Sequence, residues 1–471
     1  MPYIGLDIGT SSTKAVAFDE AGRSLGVVTK HYPTLSARPG WQEQEPERVV
    51  RAALSALKKL VEIIGQPPTC IALSAAMHSL IAVDDKGQPL THSILWSDNR
   101  AADLASQLKG TPLGKDIYRH TGTPIHPMSP LLKIAWLRQH EPAIFQKANK
   151  FLGIKEYLLY RLFGEFFTDQ SIASATGLFD AERLDWHGPA LDFAGITAAQ
   201  LPQHVSPFFI LNKLKRSFAQ YLCIPPEIPW VIGASDGCLA NLGAGAASPG
   251  EAVLSIGTSG ALRTTSHQPT HDPGERIFNY LLFPPEGTHP PTYVTGGASN
   301  NGAVVYDWFC RRFFGMSPSA KGMERHRLAM QQVPLGCDGL RFLPHLHGER
   351  APLWDASATG SFQGIRPHHT MAHFHRAVLE GVLQNMKLIG DVLEEVAGPF
   401  HVIYANGGFT KMPFWVQMAS AVFNKKVVVF ENEGGPALGA ALVGMKALGT
   451  IPDFAKAKEM AVVKQEFQND E

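Results

Sequence analysis

Tyr3-Ile4-Gly5-Leu6-Asp7-Ile8-Gly9-Thr10-Ser11-Ser12-Thr13-Lys14 opens the chain, and its reading decides the fold. Tyr3–Leu6 reads as a short apolar strand, Asp7–Thr13 as a turn of Gly, Ser and Thr, and Lys14–Asp19 as an alternating strand running back. Glu20–Arg23 turns again, and Ser24–Lys30 makes a third strand. Val49, Val50, Leu54, Leu57, Leu60 and Val61 recur at helical spacing, predicting an amphipathic helix over Pro46–Ile64. Ile71–Ala75 and Leu80–Val83 read as strands on either side of Met77-His78. Strands that turn back directly, followed by a helix and more strands, predict a mixed sheet with helices on its faces.

From Glu251 this pattern restarts, with strand Ala252–Ile256, turn Gly257–Gly260 and strand Ala261–Thr265. Ile8-Gly9-Thr10-Ser11 recurs as Ile256-Gly257-Thr258-Ser259. A repeated tetrapeptide alone is close to chance in a chain this long. Its context carries more weight, because both copies sit in a tight turn between strands near the start of one half. An internal duplication that sets two hairpin loops across a cleft explains both. The Gly/Ala/Ser/Pro-rich stretch Leu242–Gly250 marks the boundary, giving domains 1–244 and 245–471. Residues from about 112 to 225, rich in helix patterns and proline stops, read as an elaboration of the first domain that walls the cleft. The alternating, partly basic tail Lys456–Glu471 reads as a terminal helix with a frayed end and no assigned function.

The chain has 471 residues, 45% hydrophobic and 18% charged, which excludes disorder. Lys+Arg and Asp+Glu are both 42, so no basic excess advertises a nucleic-acid partner. Five scattered cysteines without a CxxC give neither a disulfide framework nor a thiolate zinc site. No leader-like N-terminus and no long apolar run is present, so a soluble, cytoplasmic protein without a membrane partner is expected.

Gly9-Thr10-Ser11-Ser12 and Gly257-Thr258-Ser259-Gly260 have the chemistry of phosphate cradles, with glycine exposing N–H groups and hydroxyls adding donors. Taken singly, either loop reads first as an ordinary turn. Together, with Asp7 to hold a divalent ion through water and Lys14 as a point charge, they favour the cradle. Asn406-Gly407-Gly408 follows strand His401–Tyr404 and precedes helix Pro413–Phe423, where it either admits a flat ring such as adenine or caps the helix. Asp236, on a turn after strand Trp230–Ile232, suits a general base, although an Asp-Gly after a strand is more often a plain turn.

Other motifs fail. No Walker A loop or GxGxxG occurs, so a P-loop or Rossmann unit is excluded. Gly257–Ala261 ends in Ala where a nucleophile elbow needs Gly. His369 and His373 have the i,i+4 spacing of a metal pair within a histidine-rich region (His345, His347, His368, His375), but HExxH is missing. Capping, packing and surface roles account for them better.

Long spaced patterns now enter. Met128-Ser129-Pro130-Leu131-Leu132-Lys133-Ile134-Ala135-Trp136-Leu137, and Gly360-Ser361-Phe362-Gln363-Gly364-Ile365 through His373 to Ala377-Val378-Leu379-Glu380, resemble the two signatures of the FGGY family of carbohydrate kinases. Gly348-Glu349-Arg350 and Asn406-Gly407-Gly408 add to the likeness, which spans nearly the whole chain. The resemblance implies a two-domain, actin-like/ribonuclease H-like α/β fold of the sugar kinase/Hsp70/actin superfamily, with mixed sheets flanked by helices and a cleft between domains. It further implies ATP and Mg²⁺, with Asp236 as catalytic base and Asp7 at the metal. Gly9, Thr10, Ser11, Ser12, Lys14, Gly257 and Thr258 match the phosphate loops, and Gly302, Gly407 and Gly408 match positions near the nucleoside. Met77, His78 and Trp96 match the sugar pocket, and a homodimer is a family-based expectation.

Within the family the sequence most resembles gluconokinases, through Met77-His78-Ser79, Asp98-Asn99-Arg100 and Thr121-Gly122-Thr123-Pro124-Ile125-His126-Pro127-Met128. Xylulokinases usually carry Gly where this chain has Ser79, and glycerol kinases carry Gln where it has Gly237. A sugar acid needs cationic or N–H donors, for which His78 and His126 are candidates. His126 reads equally as a residue that shapes its proline-flanked loop. The competing expectations are a xylulokinase or other ketose kinase and, from another class, a non-catalytic nucleotide-dependent sugar sensor or switch.

Overall fold

The computed structural model describes residues 1–431, 435–455, 458, 460 and 462–468. Its frame is a pair of mixed sheets. The first holds β1 (Tyr3–Ile8), β2 (Ser12–Phe18), β3 (Ser24–His31), β4 (Cys70–Ala75), β5 (Ile210–Leu211) and β6 (Trp230–Ser235), in the order β5-β6-β4-β1-β2-β3. The second holds β7 (Glu251–Ile256), β8 (Gly260–Ser266), β9 (Phe278–Phe283), β10 (Thr292–Ser299), β11 (Val402–Asn406), β12 (Lys426–Phe430) and β13 (Val463–Phe467), in the order β9-β10-β8-β7-β11-β12-β13. In both, a central strand (β1, β7) makes an antiparallel hairpin on one side and pairs in parallel on the other. The run β3-β2-β1-β4-β6-β5 matches β10-β8-β7-β11-β12-β13 strand for strand. The duplication read from one tetrapeptide is therefore a duplication of the sheet.

Eight helices fix the site: α1 (Pro46–Ile64), α2 (Pro130–His140), α3 (Ile154–Phe163), α4 (Asp236–Gly243), α5 (Ala303–Phe313), α6 (Met371–Ala397), α7 (Pro413–Phe423) and α8 (Gly435–Ala447). Alternation along β1 divides its side chains between two covered faces. Ile4, Leu6 and Ile8 pack with Val49, Val50, Leu57 and Leu60 of α1, a helix begun by Pro46 and ended by left-handed Gly65. Tyr3 faces the other way, into a layer with Leu239 and Leu242 of α4 and Leu438, Ala441 and Leu442 of α8. A Leu or Phe fully buried in such a layer contributes roughly 1.5–3 kcal/mol. So α8, from the end of the chain, lies on the first sheet and ties the halves together. Glycine at position 5 permits this approach, since a Cβ there would collide with the carbonyl of Ala437.

Two expectations change. Asp236 is the first residue of α4, a helix, and no plain turn. The tail expected as a terminal helix over 456–471 instead contributes β13, which pairs antiparallel with β12 and buries Phe467. An open sheet edge beside an alternating segment explains this outcome. Residues 456, 457, 459, 461 and 469–471 of that tail lie outside the described residues.

Candidate active site

Because β1 and β6 both run parallel to the β4 strand between them, their C-terminal ends reach one edge of the sheet. Asp7 lies on β1, and Asp236 follows β6. Both are half-buried, deep in the cleft. Ser74 Oγ donates to Asp7 at 2.8 Å, and Lys14 sits opposite on β2. Burial, followed by the charge of Asp236, pushes the Asp7 carboxyl up to about 7. Burial also raises Asp236, while Arg263, the Gly237 N–H at 2.7 Å and Lys155 oppose the shift. Lys155 is a buried lysine of α3 that pairs with Asp169 and donates to the Ala234 carbonyl, within the strand that aims Asp236.

Asp236 and Arg263 line two cavities and stand where these meet. The first cavity, about 210 Å³, is bounded by Thr10 and Ser259, one from each repeated loop, and by Met77, His78, Trp96 and Asp236. His78 adopts a left-handed backbone (φ 69°), a strained state for a non-glycine residue. It is clamped on two sides. Its Nδ1–H donates to the Ala175 carbonyl at 2.7 Å, and buried Lys133 Nζ donates to its own carbonyl at 2.5 Å. Trp96 Nε1 donates to Thr10 Oγ1 at 2.9 Å, joining the first loop to this wall.

His126 is not part of that lining. Its Nδ1 accepts from the Met128 N–H at 3.2 Å, and its ring packs 5.2 Å from Trp354, so it shapes the loop. Burial, then positive neighbours, lowers both His78 and His126 to about 3. Neither is a cation, so of the cationic or N–H donors expected of them for a sugar acid only the N–H remains.

The second cavity, about 400 Å³, is lined by Gly407 and Gly408 between β11 and α7, and by Ser255, Gly237 and Phe430. At Gly407 (φ 96°) a Cβ would stand 2.6 Å from the Ile256 carbonyl, so only glycine fits. Gly302 does not line this cavity. Together with the start of α5 it braces the second loop, with N–H groups of Gly302 and Ala303 donating to the carbonyls of Thr258 and Gly257. Gly9, Thr10, Ser11 and Ser12 form the β1–β2 turn, closed by the Gly9 N–H to the Ser12 carbonyl at 3.0 Å.

The histidine-rich region holds caps and packing. His373 accepts from the Thr370 N–H at the start of α6, and His375 stacks on Tyr306. Elsewhere Asp116, His120 and His187 cluster, but the two imidazoles lie nearly parallel (19°), which denies them a common in-plane point for a metal. Sequence reasoning gave no role to Arg263, Arg350, Tyr280, Lys133 or Lys155. Arg350 lay in a quoted motif. Arg263 left one signal, a lone charge in an apolar strand beside a phosphate-type loop.

Paired sheets, hairpin loops across a cleft and two cavities joined at a carboxylate define a two-domain α/β sugar-kinase fold. The models of the FGGY family of carbohydrate kinases match in both halves, the N-terminal domain over residues 2–243 and the C-terminal domain over residues 252–448. The chain belongs to the FGGY family of carbohydrate kinases. It is 40% identical to the gluconokinase of Bacillus subtilis (strain 168) over 97% of this chain and 90% of that protein. To the xylulose kinase of the same organism it is 29% identical, over 98% of this chain and 91% of the relative. The crystal structure of gluconate kinase from Lactobacillus acidophilus superposes with a TM-score of 0.93 at 33% identity, covering 99% of this chain and 93% of that one. Ligand-bound xylulose kinase from the same species gives 0.94 at 33% identity, covering 100% and 94%.

Proposed function

We propose that this carbohydrate kinase transfers the γ-phosphoryl group of ATP to the 6-hydroxyl of D-gluconate, giving 6-phospho-D-gluconate and ADP. The observation that carries the reading is the carboxylate at the junction of two cavities, one of acceptor size and one beside Gly407 and Gly408. Asp236 takes the proton of the acceptor hydroxyl as its oxygen attacks phosphorus, and the bond to the ADP oxygen breaks in line. The repeated loops present N–H groups and hydroxyls to the phosphates. Trp96, His78 and Met77 hold the polyol, and the packed cleft limits water at the transferring group.

The donor set at the cleft fits a hard divalent ion, since Asp236 stands on the same sheet edge as Asp7, close enough for its charge to raise the Asp7 carboxyl. Asp7, helped by Asp236, would hold Mg²⁺, which when bound neutralises phosphate charge. We propose the division 1–244 and 245–471 as the functional halves, acceptor and base in the first and adenosine in the second. Among the described residues no helix is long and apolar enough to cross a membrane. Cytoplasmic location and a homodimer are proposed on family grounds, and light scattering tests the dimer.

A ketose kinase is the second reading, favoured by the likeness to xylulose kinase. A coupled ADP-release assay with Mg-ATP against D-gluconate, D-xylulose, L-ribulose and glycerol separates the two. Gluconate should lead, and Asp236→Ala should lower kcat by about 10²–10⁴. Turnover led by a ketose would overturn the acceptor, and an active Asp236→Ala would overturn the base.

A further inference from the structure

Two guanidinium groups from the second half enter the acceptor cavity: Arg263 on β8, and Arg350 on the segment after β10. Arg350 is only 9% exposed. Its Nη2 donates to the Ser299 carbonyl at 3.2 Å, and its guanidinium lies 4.5 Å over the Trp96 ring, fixing the plane of the fork. Its Nε is buried without a partner, and so is the Nε of Arg263. A buried charged donor left open is costly, and two like charges near each other raise that cost.

Among the described residues, the carboxylates that act on them, Glu349 on Arg350 and Asp236 on Arg263, are both engaged elsewhere. Glu349 already accepts from Ser299, the N–H groups of Asn300 and Arg350, and the side chains of Asn301 and Asn385. Asp236 already faces Arg263 and is committed to the acceptor proton and the cation of the proposed reaction. Around the same wall His78 and His126 are neutral, and their positive neighbours are Lys133, Lys109 and Arg350. The cavity is thus polyol-sized, with two buried guanidinium Nε–H groups left open.

Position separates the two arginines. Arg263 lines both cavities and senses Asp236, whereas Arg350 lines the acceptor cavity alone. A six-carbon acid whose terminal hydroxyl meets Asp236 carries its carboxylate at the opposite end of its chain, and since Arg263 is the guanidinium beside Asp236, Arg350 is the one set to serve that end. We propose that Arg350, with Arg263 beside it, receives the carboxylate of the acceptor, so that the cavity selects a polyhydroxy acid over the neutral polyol of equal length. A guanidinium fork suits this role because two parallel N–H donors match a carboxylate edge. The inference rests on the gluconate reading and names the residues that make it specific. The same anion chemistry has a second source, the transferring phosphoryl group, and the experiment separates them.

D-Gluconate and D-glucitol, which differ only at C1, are compared as acceptors, and gluconate binding to the nucleotide-free protein is measured by calorimetry. The parent should favour gluconate by at least about 100-fold in kcat/KM. Arg350→Gln should raise both the KM and the Kd for gluconate by about 30-fold or more. Arg350→Lys should recover part of the loss, and Arg263→Gln should cut the gluconate-over-glucitol ratio about tenfold. Arg263→Gln carries the test if Arg350→Gln does not fold. Equal losses on gluconate and glucitol, with a rise in KM for ATP, would assign the guanidiniums to the phosphoryl group and overturn the proposal. A parent that uses gluconate without preferring it to glucitol would overturn it too. A parent inactive on gluconate but active on a ketose would refute the gluconate reading itself, and this inference with it.

Discussion

The two hairpin loops share Ile-Gly-Thr-Ser yet are held in different ways. Side chains brace the first: Tyr32 Oη donates to the Gly9 carbonyl at 2.6 Å, Gln44 Nε2 donates to the Thr10 carbonyl, and Trp96 reaches the Thr10 hydroxyl. Backbone braces the second, through the first N–H groups of α5. Their entering strands differ as well. Asp7 precedes the first tetrapeptide by one residue, where the second has Ser255, a buried hydroxyl without a partner that lines the second cavity. Duplication thus supplied two loops, of which one is entered through an acid and the other through a neutral hydroxyl.

Asp7→Ser, which gives the first strand the chemistry of the second, breaks that asymmetry most directly. Turnover at saturating ATP and gluconate should fall more than about a hundredfold, beyond what loss of an outer metal partner usually costs. Isothermal titration should also show weakened Mg²⁺ binding to the ATP complex. Retained turnover would mean that the two loops are equivalent after all.

The braces come next. At Gly302 an added Cβ would stand 2.6 Å from the Gly257 carbonyl and collide with the Ser259 carbonyl. Gly302→Ala should therefore cost about 2 kcal/mol in stability and raise the KM for ATP at least about tenfold. Tyr32→Phe removes one hydrogen bond from the first loop, and about 1 kcal/mol with a severalfold rise in KM is expected. Denaturant unfolding and initial rates measure both. If the order of the two variants were reversed, the loop held by side chains would be the more rigidly specified one.

A pH profile sharpens the comparison further, because only the first loop carries an acid. Asp7, raised to about 7, is protonated below neutrality and ionised above it, and the raised Asp236 must ionise to act as base. The sign follows: kcat/KM rises with pH through the neutral region, with its acid limb well above the ordinary carboxylate range. Saturating Mg²⁺ favours ionised Asp7 and should shift the limb to lower pH. A limb centred near 4 and insensitive to Mg²⁺ would show that burial has no hold on these carboxyls.

Much of the molecule was legible beforehand because it is written in local chemistry. The Pro46–Ile64 and Pro413–Phe423 helices show their apolar spacing and prolines, and the two hairpins show Gly, Ser and Thr between alternating strands. The tail was misread since only the unfilled edge of β12 decides that Val463–Phe467 is a strand. His126 left two roles open, and its bond to the Met128 N–H together with its packing on Trp354 shows it shaping the loop.

What the sequence determined by itself is the duplicated sheet, the glycine loops and the family, for each rests on patterns written along the chain. Which residues share a cavity was decided by tertiary structure alone. Arg263 and Arg350 are 87 positions apart (350 − 263), and Asp7 and Asp236 are 229 apart (236 − 7). Parallel pairing through β4 brings the two carboxyls to one edge, and β10, paired with β8 and accepting the Ala351 N–H at its Ala298 carbonyl, brings the two arginines together. The physical reason is that charge, desolvation and unpaired donors depend on distance in space, which a linear pattern does not record.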